Sequence, residues 1–407
     1  MNFRRSLMKR LIRLTFREGL LKNSASGALR LLGYTTVDAA PYQNGASVQL
    51  PAITGVSVSQ VTAPQELGAE QKIIREELPP ISPLIFSDVV VRSDSSVLCQ
   101  DGYGLMPSLA FKNKHRVSWE NGRSCAFDAD GRLVFENRPQ EQIVRGICGF
   151  AEASYNWYHW LIEILPMIMV AGDLGAEYAD WPLLVPEEAF GNATFRETLD
   201  LFRGNREVVA LRKTHQYRIG ELLFCPPPVF GPFNMQRGHW PEPSDYSQNL
   251  EVMKSFRSAV LEKLAVTARQ DGPRRVFLAR PSDVRQYNQD DIIAAARKKD
   301  FHIVYLEKLS FREQVQILHD ADIVVGPSGA AWAGSLFMRP GTKGLIWVHR
   351  EYMGGSFFSN LTCASGSQLT YLPVDSSDKI SGTRDTAKTA YTLPVDSFVA
   401  HVDALTG

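Results

Sequence analysis

The spacing of apolar positions changes several times along this chain, and each change predicts a different kind of element. Near the start Phe3, Leu7, Leu11, Leu14 and Leu21 recur at three-, four- and seven-residue steps, with Arg4, Arg5, Lys9, Arg10, Arg13 and Arg17 between them. That pattern predicts a basic amphipathic helix. Residues 35–80 hold no helical period and read as a linker followed by an irregular, β-leaning lead-in. Residues 81–150 are β-rich, with strand-like runs at Val89–Val97 and Ser124–Glu136. From Ser154 to Met169 the helical period returns, with Ser154 or Asn156 as N-cap and Pro166 at the point where the helix must kink or end. Residues 181–265 alternate short strands, Leu183–Val185 and Ile219–Phe224, with helical stretches. Ser247–Leu264 predicts a helix that carries the chain into a second domain.

From Arg274 the pattern becomes regular. Arg275–Ala279, Phe301–Leu306, Asp322–Val325 and Gly344–Val348 are short apolar runs of strand length. Helical segments separate them. One is capped by Asn288, with Asp290 and Asp291 in its first turn and Lys298 and Lys299 in its last; another opens with the capping box Ser310-Phe-Arg-Glu313. Alternating β and α at this spacing predicts a parallel sheet covered by helices, with ligands at the carboxyl ends of its strands. The tail, 373–407, reads as irregular, with the short echo Leu372–Ser376 and Leu393–Ser397.

Composition narrows the classes. The chain has 407 residues, so two domains are expected. Lys plus Arg and Asp plus Glu both number 44, which argues against a globally basic nucleic-acid binder. Five cysteines are scattered without a C-x-x-C, so neither a disulfide framework nor a cysteine zinc site is expected, and a reducing compartment fits. No apolar run reaches the length of a membrane span. Met1–Arg30 carries eight basic residues and one acid and lacks the apolar core and cleavage site of a secretory signal. Two uses of that arm stay open: docking on an anionic membrane surface, or packing on the protein's own body.

Three places carry candidate chemistry. His159 and Glu163 are four apart and share a helix face. Such a pair can act as a general base, the carboxylate fixing the imidazole tautomer, or can be a satisfied core histidine. The loop Gly326-Pro-Ser-Gly-Ala330 follows a strand and opens a helix, where backbone N–H groups can meet a diphosphate; the same glycines could also serve only a tight turn. Arg280 and Arg285 lie just past another strand end, suited to bidentate phosphate contact, and Glu307 follows a third, within reach of ribose hydroxyls. Asp128-Ala-Asp-Gly131 could hold a metal, but apolar runs flank an Asp-Gly, which is the sign of a hairpin. No metal site is expected. Phe230–Trp240 is a loop suited to an acceptor edge.

Several of these segments together resemble glycosyltransferase family 61. Asn156-Trp-Tyr-His-Trp-Leu-Ile-Glu-Ile-Leu-Pro166 resembles its N(F/Y)YHWL-x-E-x-LP segment. Val276–Arg280, Arg285, Asn288, Glu307–Gln314, Ile323–Gly326 and Gly329-Ala330 resemble its C-terminal half, in order, over roughly residues 85–350. The resemblance implies an α/β, GT-B-like architecture of two Rossmann-like domains facing across a cleft. The division would be an arm at 1–34, a lead-in at 35–80, an acceptor-side domain at 81–265, a nucleotide-sugar domain at 266–372, and a tail at 373–407 that crosses back to the first domain. It implies an inverting, metal-independent transfer from a nucleotide sugar, a UDP-sugar foremost, to a glycan or other hydroxyl acceptor, with no further cofactor. A role in surface or capsular polysaccharide synthesis, in the cytoplasm or on the inner membrane face, is implied with it. Carried over by position, His159 and Glu163 become catalytic candidates, and Arg280, Arg285, Asn288, Glu307, Gly326, Ser328, Gly329 and Ala330 become donor-binding candidates. The family usually has His-Gly-Ala in the loop, and this chain has Ser328-Gly329-Ala330. A serine can donate to a phosphate oxygen but carries no charge.

Two other functions fit parts of the sequence. Gly326-Pro-Ser328-Gly-Ala330 nearly reproduces the G-x-S-x-G elbow of serine hydrolases, with His401 and Asp375 or Asp396 as partners. A non-catalytic scaffold would use the basic arm and a donor site altered at Ser328.

Overall fold

The computed structural model describes residues 28, 31, 33–78, 80–107, 116–117, 125–127, 133–213, 215–232, 235–236, 238–281, 286–376, 380, 382, 386 and 389–406. Residues 1–27 of the basic arm, the Asp128–Gly131 turn and Arg285 lie outside these. The chain is mixed α/β: the core of its first main sheet runs on into the second half through Phe311, Val315, Leu336, Phe337 and Leu361, while the second main sheet has an apolar core on each face.

The first sheet is mixed. Val208–Leu211, Leu183–Pro186, Glu141–Cys148 and Tyr217–Phe224 run parallel to one another. Leu84–Val91 joins Tyr217–Phe224 antiparallel, Val89 facing Ile219, and begins the mainly antiparallel half. Cys125–Phe127 and Leu133–Glu136 pair antiparallel at its far end, as expected for the flanks of a hairpin.

The second sheet has five strands, all parallel: Arg275–Leu278, His302–Val304, Ile323–Pro327, Lys343–His349 and Gln368–Val374. Numbered along the chain, their spatial order is 2-1-3-4-5. Side chains alternate between its faces. Phe277, Val325 and Trp347 meet the helices Gln289–Arg297 and Val395–Thr406 on one side. Val276, Val324 and Ile346 meet Leu318 and Trp332, from the helices Phe311–Asp320 and Ala330–Phe337, on the other.

Four cations cap helix ends at the amino edge of this sheet. Arg275 donates to Lys299 O, Arg274 and Arg339 to Asp320 O, and Lys343 to Leu405 O, at 2.8–3.1 Å. Each carbonyl lies at or just past the C-terminus of a helix, where the dipole is negative. The opposite, carboxyl edge is left for chemistry.

The β-leaning lead-in is more regular than expected: Ser57–Thr62 and Ile73–Leu78 form a hairpin that docks on the second half. Thr62 donates its N–H to Asn360 Oδ1 and accepts from Ser359 Oγ, and Gln65 bridges Thr370. Small polar side chains such as Ser59 and Thr62 are buried there as hydrogen-bond partners, so hydropathy hid the strand. The tail ends in a helix rather than an irregular segment, and it packs on the second sheet rather than the first: Leu393, Phe398, Val402 and Leu405 join the core around Phe277 and Trp347. Among the described residues no helix is long and apolar enough to cross a membrane.

Candidate active site

The helix expected over Ser154–Met169 forms, but with a π segment inside it. Asn156 caps its start, accepting the Tyr158 N–H. Trp157–His159 is α-helical, Trp160–Ile164 is π-helical, and Leu165–Gly172 is α-helical again. The Leu165 N–H reaches back five residues to Trp160 O. Pro166, which has no N–H to give, follows directly, so the π turn absorbs the missing bond and the helix continues through the proline. Trp160 anchors the segment by stacking on Phe195 at 5.0 Å and donating to Thr198 Oγ1 at 2.9 Å.

His159 and Glu163 lie on one side of this turn, and both are buried. Nδ1–H of His159 donates to Glu163 Oε1 at 2.9 Å. Burial alone would disfavour the imidazolium. The Glu163 charge and hydrogen bond, with a further contribution from the Glu152 charge, outweigh it and raise the histidine's pKa above its ordinary 6.5. Behind the pair is a void of about 30 Å³ bordered by Glu152, Tyr42 and Ser95, which is room for one water molecule.

His159 also lines a larger cavity of about 130 Å³, and this brings the two halves of the chain together. Ser328, Gly329 and Ala330 line the same cavity from the end of the strand Ile323–Pro327. Tyr158 crosses between the halves, its hydroxyl donating to Phe357 O at 2.9 Å. The phenols of Tyr158 and Tyr371 also line the cavity; burial lifts the first well above the ordinary tyrosine range and pushes the second up to about 12. Neither is a base at neutral pH.

The remaining expected donor residues divide. Arg280 follows the first strand of the parallel sheet, and its Nη2 donates to Ser328 O at 2.6 Å. The gap it spans, between strands 1 and 3 of a 2-1-3-4-5 sheet, is the switch point where such sheets open a crevice. Gly326 is the penultimate residue of its strand, and a Cβ there would stand 2.8 Å from Leu278 Cβ, so its role is close packing. Asn288 sits at the N-cap position, but its side chain does not cap the helix. It donates to Leu393 O and accepts from the Leu393 N–H, tying down the tail. Glu307 is exposed on the turn Leu306–Lys308 and does not border the cavity.

The hydrolase constellation does not assemble. His401 bonds through Nδ1 to Ser397 O on the tail helix, and Asp375 is exposed and paired with Arg350. Neither lines the cavity that holds Ser328. Among the described residues no group of three or more His, Cys, Asp or Glu is placed to hold a metal.

Sequence reasoning missed His349 and the aromatic wall formed by Tyr352, Phe357 and Phe358. His349 ends the fourth strand, one residue beyond the predicted Gly344–Val348, and is 5% exposed. The strand-end rule that singled out Arg280 and Ser328 would have found it, had it been applied to that strand.

Residues 157–345 match the family model described as Glycosyltransferase 61. The match opens on the helix that carries His159 and closes in the strand that ends at His349. No curated protein matches the chain.

Proposed function

We propose that the chain, whose residues 157–345 match the family model, is a family 61 glycosyltransferase that transfers a sugar, with inversion, from a nucleotide-sugar donor to a hydroxyl acceptor. The observation that carries this reading is the shared cavity. His159 and the Ser328–Ala330 loop, remote in sequence, border one space, with Arg280 bound to the loop.

In this reading the nucleotide diphosphate lies at the switch point, near Arg280 and the backbone of the loop. His159 is the base. With Nδ1 engaged by Glu163, Nε2 takes the acceptor proton as the acceptor oxygen bonds the anomeric carbon. The bond from that carbon to the diphosphate breaks, and its electron pair leaves on the diphosphate oxygen. Arg280 and backbone N–H groups meet that charge, in the role a metal fills in other transferases. Attack from the face opposite the leaving group inverts the anomeric centre. UDP-sugars are the first donors to try, and a glycan of surface or capsular polysaccharide is the acceptor class. The two halves would act as the donor and acceptor sides of a GT-B-like enzyme, in the cytoplasm, with the basic arm of residues 1–30 resting on the membrane's inner face.

Thermal shift against nucleotides and nucleotide sugars, with and without divalent metal, tests the donor half of this reading, because selective ligands stabilise the native state by mass action. One nucleotide class should raise Tm in wild type and not in Arg280→Ala. Binding by no nucleotide would overturn it, and tight binding without transfer to any acceptor would favour a scaffold.

A further inference from the structure

The fourth strand of the parallel sheet ends at His349, beside the strand that runs into Ser328. Pro327 is in register with Trp347, and the Ser328 N–H donates to Trp347 O at 2.9 Å. The two chains therefore leave the sheet side by side, one at Ser328 and the other at His349. His349 is buried and borders the same cavity as His159 and the loop. Tyr391 meets its ring edge-on, with centroids 5.1 Å apart. Tyr391 in turn stacks on Tyr287 at 5.3 Å and 10°, and the Arg280 guanidinium lies 5.9 Å from the Tyr287 ring. Arg280 and His349 stand at the two ends of one stacked aromatic pair, with Ser328 bonded to the first and, by the strand register, opposite Val348, the neighbour of the second.

We propose that His349 is a ligand of the donor's diphosphate, its protonated imidazole donating an N–H to a phosphate oxygen beside Ser328 while Arg280 serves the other side. This rests on the nucleotide-sugar reading above. Part of the Arg280 guanidinium is committed to the Ser328 carbonyl, and Ser328 brings no charge of its own. A diphosphate carries more charge than one guanidinium offsets, and an imidazole can gain a positive charge near neutral pH. The anion favours the charged ring, so binding draws a proton from solution. When the sugar leaves, the new charge stays on the diphosphate oxygen, and the His349 proton remains on the ring and bonds to it more strongly. Among the described residues, the titratable groups around His349 are His159, Tyr158, Tyr352 and Tyr371 across the cavity, Tyr391 at its edge, and the Arg350–Asp375 pair next to it. Tyr158 and Tyr371 are held protonated by burial, so His159 is the other group whose share of the proton uptake must be separated.

Calorimetric titration of the full chain with UDP, GDP and CDP, near pH 7.5 in buffers of different ionisation enthalpy, reads affinity and proton uptake together. The nucleotide that binds wild type should do so with proton uptake. His349→Gln should bind it about tenfold more weakly, the scale of one charge-assisted hydrogen bond, and with less uptake. His159→Gln should keep the His349 share, and adding Ser328→His to His349→Gln should restore affinity by returning an imidazole to the same spot. Unchanged affinity and uptake in His349→Gln would overturn the inference. If no nucleoside diphosphate binds wild type, the donor reading itself fails, and that is seen before any variant is made. Should His349→Gln fail to fold, ¹⁵N-histidine spectra of wild type decide: the His349 ring nitrogens move to imidazolium shifts on adding the nucleotide, or they stay and the inference falls.

Discussion

Arg280 Nη2 donates to the Ser328 carbonyl at 2.6 Å, joining the ends of the first and third strands of the parallel sheet. The guanidinium has five donors in a fixed fork, so it can hold the loop and still contact a phosphate. A lysine can do one of these but not both. Arg280→Ala should lower kcat/KM for the donor by roughly 10- to 150-fold, the value of about 1.5–3 kcal/mol for a hydrogen bond to a charged group. Arg280→Lys should recover part of the loss. Near-normal turnover of Arg280→Ala would remove this residue from the site.

The buried His159–Glu163 pair makes a prediction about pH. The net effect of its surroundings raises the histidine's pKa above 6.5, and a base works only when neutral. Activity should therefore rise with pH, with the acid limb of kcat/KM lying above that value, because this limb reports the free enzyme. Glu163→Gln removes the larger of the two carboxylate charges that raise the pKa and leaves burial, which lowers it. Its limb should move to lower pH while the plateau falls by about 10²–10⁴-fold, the range for general-base catalysis. A variant with a lower plateau and an unmoved limb would show that Glu163 does not tune the base.

The parallel sheet was legible because its strands are buried on both faces and read as short apolar runs between capped helices. The order of those strands was not, because it depends on which edges meet in space. That order puts Arg280 and Ser328 across one crevice. The i, i+4 spacing of His159 and Glu163 was visible, whereas the π turn beneath them was not: it is a response to Pro166 that local propensity does not encode. His349 escaped because a single histidine at a strand end has no pattern of its own. It acquires meaning from the neighbouring strand, through the register of Pro327 with Trp347.

Asn288 was expected at the donor, yet both ends of its amide are bound to the Leu393 backbone. Asn288→Ala should strand a part-buried N–H and C=O on the tail and cost about 1–3 kcal/mol. The expected result is a lower urea midpoint with an unchanged slope, and donor affinity within about twofold of wild type, since surface sites away from the ligand shift energies by only ~0.5 kcal/mol. A tenfold loss of donor affinity at constant stability would return Asn288 to the site.

The two glycines that bracket Ser328 should respond in opposite ways to the same substitution. At Gly326 a methyl group would sit 2.8 Å from Leu278 Cβ and 2.9 Å from Leu278 O, between two central strands. Backbone and a fully buried side chain cannot give way easily, so Gly326→Ala should destabilise the fold by about 1–3 kcal/mol, the usual cost of overpacking. Gly329 has φ of 173°, extended backbone that any residue adopts, and among the described residues an added Cβ would meet only Arg280 Nη2, at an ordinary 3.6 Å. Gly329→Val should therefore melt close to wild type. Its branched side chain, however, would stand against the Arg280 guanidinium, where the diphosphate is proposed to lie. Donor KM should rise at least tenfold in Gly329→Val, with Tm unchanged, whereas Gly326→Ala should lower Tm without a selective change in KM. If Gly329→Val binds the donor normally, the diphosphate does not pass between this loop and Arg280, and the donor must be placed elsewhere in the cavity.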